Sequence, residues 1–440
     1  MGQFRKADDN NQGFLFPPSP ADWLPEDHLV WFIQDAVEQL DIDTLLDGYR
    51  VSGKGELAYP PRVMLGLLIY GYSTGTFASR KIAKQIDENV AFRVLARGLR
   101  PSFRTICRFR EEHLDEFHRL FVQVVQVAQE SGLVKMGTIA IDGSKVKANA
   151  SKHKAMSYDR MLIEEKRLRE EIAKLTRAAK KQDDIDDDEF GPDFRGDELP
   201  QELSRRETRL ATIQAAKQRL EERKAAEAEA KRAAEQASQG NEKSSTEKSE
   251  RALPKPRDQE NFTDPESRIM PTSGKTFEQA YNAQVAVDAE QQIVVAASVT
   301  QNTNDHNQLM PVLNEAYENT AKVPQRVLAD AGYKNERGFA SLDGLGIDGY
   351  VSVGREGKQA ERPKKEQPLT AAMRRKLATK RGRARYRMRK AIVEPVFGWV
   401  KRVLGFRAFS LRGLRKVAGE WSLVCLALNL RRMAVIGARK

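Results

Sequence analysis

The sequence predicts an α/β (mixed) fold: a mixed sheet with flanking helices, an all-α region ahead of it, and a coiled-coil hairpin inserted into it. Three observations predict this. The hydrophobic period changes from helical to β near Gly137. Downstream, β-like segments alternate with helical ones, as expected of helices packed on a sheet. Between the first and second β-like segments lies a charged stretch, about residues 151–275, with apolar residues at heptad spacing.

The elements follow in order. Residues 1–20 read as a flexible N-terminus and 21–133 as a helical region, with segments such as DHLVWFIQDAVEQL and PRVMLGLLIYGY repeating at three and four. Within it, ASRKIAKQIDENVAFRVLARG and RPSFRTICRFREEHLDEF face each other across Gly98 and Pro101, the second carrying Arg104, Arg108 and Arg110. That pattern fits a helix-turn-helix reading DNA and equally a helical bundle with a solvated basic face. Residues 134–150 and 276–440 form the α/β part. Its strands are expected at 137–150, 281–288, 292–300, 326–330 and 347–353, with a last sheet-packing helix opening near Arg383. In the insertion, Met161, Leu168 and Leu175 repeat every seven, as do Leu203 and Leu210. The acidic run Asp183 to Glu189, followed by Gly191 and Pro192, is expected to be the solvated loop at the hairpin tip. The polar stretch after the second helix reads as a low-complexity linker.

Charge bounds the partner. The net charge is +12, and from Val351 to Lys440 the chain holds 25 Lys+Arg against 5 Asp+Glu, while the rest carries 49 against 57. Such polarity implies a polyanion, nucleic acid before anionic lipid. The longest apolar runs, near Val63 to Tyr70 and Trp421 to Leu428, fall short of the roughly 20 residues that a bilayer requires, so no membrane span is expected. The N-terminus lacks the apolar core of a signal peptide. Two distant cysteines, Cys107 and Cys425, suggest no disulfide framework or zinc site, and a reducing cytoplasm fits.

Three carboxylates stand where structure alone would not ask for them. Asp142 interrupts an apolar strand, Asp330 ends VLAD, and Glu394 sits in the basic C-terminal region. Each alone also has a plain structural reading: a turn acid before Gly143, a cap, and a first-turn acid favoured by the helix dipole. If the first and fourth strands lie parallel and adjacent, Asp142 and Asp330 meet, and the last helix brings Glu394 over the same edge. Three converging carboxylates suit hard divalent cations such as Mg²⁺. Two such ions can hold the attacking and leaving oxygens of an in-line displacement at phosphorus.

The blocks AYPPRVMLGLLIYGY, SRKIAKQIDENVAFRVLA, RTICRFR, IAIDGSKVKANAS, NFTDPESRIM, YNAQVAVD, VLADAGY and IVEPVFGWVKRVLGFRAFSLRG, in this order, carry a resemblance. Over nearly its whole length the chain resembles the DDE transposases of bacterial insertion sequences, in the branch with a helical N-terminal domain and a coiled-coil insertion. The resemblance implies a ribonuclease-H-like catalytic domain whose metal-binding triad falls on Asp142, Asp330 and Glu394. It implies two Mg²⁺ ions, with Mn²⁺ able to substitute, cleavage at the element's terminal inverted repeats, and strand transfer into target DNA. It further implies a homodimer on DNA, located in the cytoplasm at the nucleoid. Family members near this branch often show tyrosine, two residues, arginine, three residues, glutamate, six residues, lysine. Here Glu394 and Lys401 keep that spacing, Arg387 and Lys390 take the tyrosine and arginine places, and Tyr386 and Arg389 fall one residue early. Lys401, Lys390, Arg389 and Arg387 are therefore the expected DNA contacts of the catalytic part, and Arg104, Arg108 and Arg110 those of the helical part. Two other readings use the same residues: a ribonuclease-H-like nuclease that does not join strands, and a non-catalytic DNA-binding relic.

Four further expectations concern single residues. Pro395 disfavours α geometry at Glu394 and would suit the first position of a helix, which puts Glu394 at a helix N-terminus. Asn304 or Asp305 is expected to cap a helix. Asp264 either approaches the active site or starts a turn before Pro265. Trp399 and Trp421 are expected to pack in apolar helical faces.

Overall fold

The computed structural model describes residues 19–46, 49, 57–190, 201–236, 253–272, 276–354 and 367–438. The expected flexible N-terminus, the Gly191–Pro192 break and most of the polar linker therefore lie outside the described residues.

Among the described residues, seven α-helices precede the sheet: α1 (Leu29–Gln39), α2 (Asp43–Leu46), α3 (Pro61–Ser73), α4 (Ser79–Glu88), α5 (Val90–Ala96), α6 (Phe103–Glu112) and α7 (Leu114–Glu130). Pro61 opens α3 at a position where its missing N–H costs nothing. Almost every later residue of α3 is buried, as expected of a helix apolar on all sides. The stretch read as one helix from Ala78 to Gly98 is two, because Asn89 breaks it: extended, with its side chain accepting from the amides of Ala91 and Phe92, Asn89 caps α5.

The sheet begins with β1 (Thr138–Lys147), and the insertion follows as β2 (Ala155–Ser157), α8 (Tyr158–Phe190), α9 (Gln201–Gln236) and β3 (Gln259–Asn261). Antiparallel β2 and β3 form its base. Met161, Leu168, Ile213, Ala216 and Leu220 build a small core of its own between α8 and α9. The acidic run is not a loop, since α8 continues through it to Phe190. None of those residues breaks a helix, and the glycine and proline that do lie just beyond.

After the insertion come β4 (Arg268–Pro271), β5 (Phe277–Asp288), β6 (Val294–Thr300), α10 (Leu309–Thr320), β7 (Arg326–Ala329), α11 (Glu336–Gly344), β8 (Asp348–Val351), α12 (Pro368–Ala378), α13 (Lys380–Gly398) and α14 (Leu414–Gly437). The sheet order is β4-β5-β1-β7-β8, with β6 beside β5. β1 pairs antiparallel with β5 and parallel with β7, so the sheet is mixed. Helix α14 is buried almost continuously from Val417 to Leu430, packing on α3 and α7 on one side and β6 on the other. One hydrophobic core therefore runs from the N-terminal helices into the sheet.

Candidate active site

The register of β1 and β7 builds the site. Ile141 pairs with Ala329 in parallel, so the next residues along the two strands, Asp142 and Asp330, stand side by side. Asp142 accepts from the Gly143 amide at 2.9 Å, and its side chain is only 18% exposed. Asp330 turns the chain out of the strand, accepting from the Gly332 amide at 2.8 Å to start the short 3₁₀ turn Ala331–Tyr333. Burial, followed by the charge of Asp330, pushes the Asp142 carboxyl up to about 7. The Asp330 carboxyl is also raised, by burial first.

Side-chain alternation divides what surrounds the pair. Asp142 and Ser144 face α13, where Arg389 reaches Asp142 Oδ2 at 3.3 Å and the Lys401 ammonium donates to Ser144 Oγ at 2.6 Å and the Lys145 carbonyl at 2.8 Å. Gly143 and Lys145 face the other way, opposite Gln284 and Asn282 of β5. Asp305 enters on this second face. Its Oδ1 accepts from Asn282 Nδ2 at 2.6 Å and Gln284 Nε2 at 2.7 Å, and Lys145 Nζ lies 3.6 Å from it. The Tyr333 hydroxyl donates to Gln284 Oε1.

Glu394 lies on α13, but it is not grouped with the acidic pair. Its side chain is 57% exposed, and Arg389 stands between, with Nη2 4.0 Å from Glu394 Oε1. Among the described residues, no group of three or more His, Cys, Asp or Glu is arranged to hold a metal ion. Two carboxylates fit a divalent cation nonetheless. Asp142 and Asp330 raise each other's energy, and a dication between them removes that repulsion. Glu394 would have to move inward, and Arg389 outward, to complete three.

Glu394 is also not at a helix start. Helix α13 runs from Lys380 to Gly398 with Pro395 inside it, and a π-helical turn, Trp399–Val403, carries Lys401. Proline at 395 leaves the Ala391 carbonyl without its usual donor. Gln292 supplies one: its Nε2 donates to Ala391 O at 2.8 Å. The strand-turn glutamine thus satisfies the carbonyl that the proline abandons.

Several expected roles are corrected. Asp305 caps no helix, because α10 begins at Leu309 after Gln308, which makes no side-chain cap. Arg110 does not face solvent. It is 4% exposed, donating to the Tyr72 hydroxyl at 3.1 Å and the Phe77 carbonyl at 3.0 Å. Arg389 is 7% exposed and held by Asp142. Arg104, Arg387 and Lys390 are exposed, and Arg108 is exposed beside Glu112. Asp264 is fully buried and staples two loops, accepting from the Tyr281 hydroxyl at 2.9 Å and the Gly413 amide at 3.2 Å. Trp421 is buried and donates to the Gln284 carbonyl at 3.1 Å, whereas Trp399 is 37% exposed with Arg431 over its ring.

Two family models match the chain in tandem. One described as a transposase domain (DUF772) covers residues 18–112, the helices before the sheet, and one described as a transposase DDE domain covers 251–430, the sheet beyond the insertion. No curated protein and no solved structure matches. No helix among the described residues is long and apolar enough to cross a membrane.

Proposed function

From a chain that belongs to the DDE transposases of insertion sequences, we propose metal-dependent DNA cleavage at the element's ends, followed by strand transfer of the freed 3′ hydroxyl into target DNA. The observation that carries it is the adjacency of Asp142 and Asp330 at the open end of a parallel strand pair. Members of this family generally use divalent metal ions, and Mg²⁺, replaceable by Mn²⁺, suits the all-oxygen donors Asp142, Asp330 and an inward-moving Glu394. Bound there, two such ions would activate the attacking oxygen and stabilise the leaving one.

The remaining work falls to the chain itself. With a cation held by the acidic pair, Arg389 would release Asp142 and meet the incoming phosphate or Glu394. Lys401, anchored on Ser144, fixes the π-helical turn against β1, so that α13 swings as a unit. Arg387 and Lys390 hold phosphates beside the site, and Arg104 and Arg108 contribute from the helical region, residues 21–133, which recognises the terminal repeats. The catalytic unit is then 134–150 with 276–440, and the insertion is 151–275. Two DNA ends held together imply a homodimer on DNA, working at the nucleoid in the cytoplasm.

The test is cleavage and joining of the element's own end sequences in Mg²⁺, with Asp142→Asn, Asp330→Asn and Glu394→Gln. All three should abolish both steps while DNA binding persists. Full activity in any one removes that residue from the triad, and a wild type that cleaves without joining reduces the reading to a nuclease. Light scattering on paired ends should give a dimer.

A further inference from the structure

Two glycines flank the acidic pair, and Asp305 lies close to both. A methyl group at Gly143 would run into Gln284 Nε2 and lie 2.7 Å from Asp305 Oδ1 and 3.0 Å from Asn282 Oδ1. One at Gly332 would lie 3.0 Å from Asp330 Oδ1 and 3.2 Å from Asp305 Oδ2. The bare backbone after each acid therefore leaves room for Asp305 together with the Gln284 amide at Gly143 and with Asp330 at Gly332.

Asp305 has a definite set of neighbours. Both amides that face it, from Asn282 and Gln284, converge on Oδ1. Among the described residues its one ion pair is with Lys145, at 3.6 Å, and the buried Lys145 ammonium has no other ion pair and no hydrogen-bond partner. Lys145 also feels Asp330 and Asp142. A lysine this close to two carboxylates is itself a cation able to neutralise them, in competition with any metal. A counter-ion of its own on the far face of β1 keeps it off the pair.

We propose that Asp305 is a positioning residue of the reaction centre, holding Lys145 on the face of β1 opposite the Asp142 side chain so that the acidic pair stays open to a divalent cation. The inference rests on the metal reading of that pair. Without the charge at 305, Lys145 turns to the nearest carboxylates, Asp330 and Asp142, and the cation must displace it. Asp305 touches no reacting atom in this role; it acts through Lys145.

The test is Mn²⁺ binding to the full-length protein without DNA, followed by electron paramagnetic resonance of the free ion, with thermal unfolding as the check on folding. Asp305→Asn keeps an oxygen for both amides and removes only the charge. It should weaken Mn²⁺ binding roughly tenfold, and adding Lys145→Met should restore it to within about threefold of wild type. A merely structural counter-ion role would lower the thermal stability of D305N, with Lys145→Met restoring it, and would leave the Mn²⁺ affinity of the folded protein unchanged. Wild-type affinity in D305N overturns the proposal, as does a double variant as weak as D305N. If D305N alone fails to fold, the double variant decides, since it leaves no buried charge unpaired: near-normal Mn²⁺ binding supports the proposal and a tenfold loss overturns it. Asp142→Asn separates the two layers. If D142N binds Mn²⁺ like wild type, the metal reading itself falls and this inference with it; if D142N loses binding while D305N does not, only the inference falls.

Discussion

Asp142 and Glu420 are both inward-facing carboxylates with an arginine and a tyrosine nearby, and the molecule treats them in opposite ways. Glu420, fully buried on α14, accepts from the Tyr72 hydroxyl at 3.0 Å, from the amides of Ser410 and Leu411 at 2.9 and 3.2 Å, and from the Ser410 hydroxyl. Arg110 completes the network through Tyr72. Every lone pair has a use, and the network ties α3 and α6 to the loop before α14. Asp142 has its own neighbour's amide, one arginine at 3.3 Å, and a second acid beside it. Burial without full pairing is costly, so a fold keeps it only where the shortfall is used. The count of partners, more than burial or charge, separates the carboxylate that holds the fold from the one proposed to take a cation.

The sharpest way to break this contrast is to neutralise each acid in turn. Asp142→Asn should lower end cleavage about a thousandfold, equivalent to about 4 kcal/mol of transition-state stabilisation, in a gel assay with Mg²⁺. Glu420→Ala should instead cost about 3–5 kcal/mol of folding stability in urea titration, because it strands Arg110 and two amides. Cleavage per folded molecule should survive that change. If the two variants exchange these phenotypes, the contrast is wrong.

The pH dependence of stability sharpens the same point at a smaller scale. The Asp142 carboxyl rises from 3.8 to about 7 on folding. Below the lower value the group is protonated in both states and costs nothing. Between the two, the unfolded chain ionises while the folded carboxyl holds its proton, so stability falls as pH rises, and above the upper value the full penalty applies. Its size is about 2–4 kcal/mol. Thermal melts should therefore show Asp142→Asn more stable than wild type at pH 8, with the gain vanishing near pH 4. The smallest expected effect concerns a carbonyl rather than a carboxylate. Gln292→Ala should cost about 1 kcal/mol, and almost nothing in a Pro395→Ala background, where residue 395 regains the N–H that Ala391 lacks.

The pair at the strand ends was legible in the sequence because strand adjacency and alternation fix it: once VLAD lies parallel to IAID, Asp330 must meet Asp142. What sequence reasoning missed was mostly a matter of which face a side chain takes. Arg110 follows Ile106 by four residues and so shares its buried stripe, and Arg389 stands likewise on the stripe of Ile392 and Val393. Counting charge hid both. The place of Asp305 beside Asn282 and Gln284 was hidden by a plausible cap, although Pro311 carried the signal. A proline is at home only in a helix's first turn, which starts α10 at Leu309 and leaves Asp305 four residues upstream. Gln292 could not be found locally, since the carbonyl that it serves is 99 residues away.

The parallel pairing of β1 with β7 across the insertion has a consequence in time. Asp142 leaves the ribosome early, but its strand partner and Asp330 come only after the hairpin, and Glu394 comes 252 residues after Asp142. At about 5–20 residues per second that is a delay of roughly 13–50 s. On the proposed function, the chain would carry its helical region through that interval without a centre able to cut DNA. The reactive centre would then be completed last, and synthesis order itself would act as a safety interval.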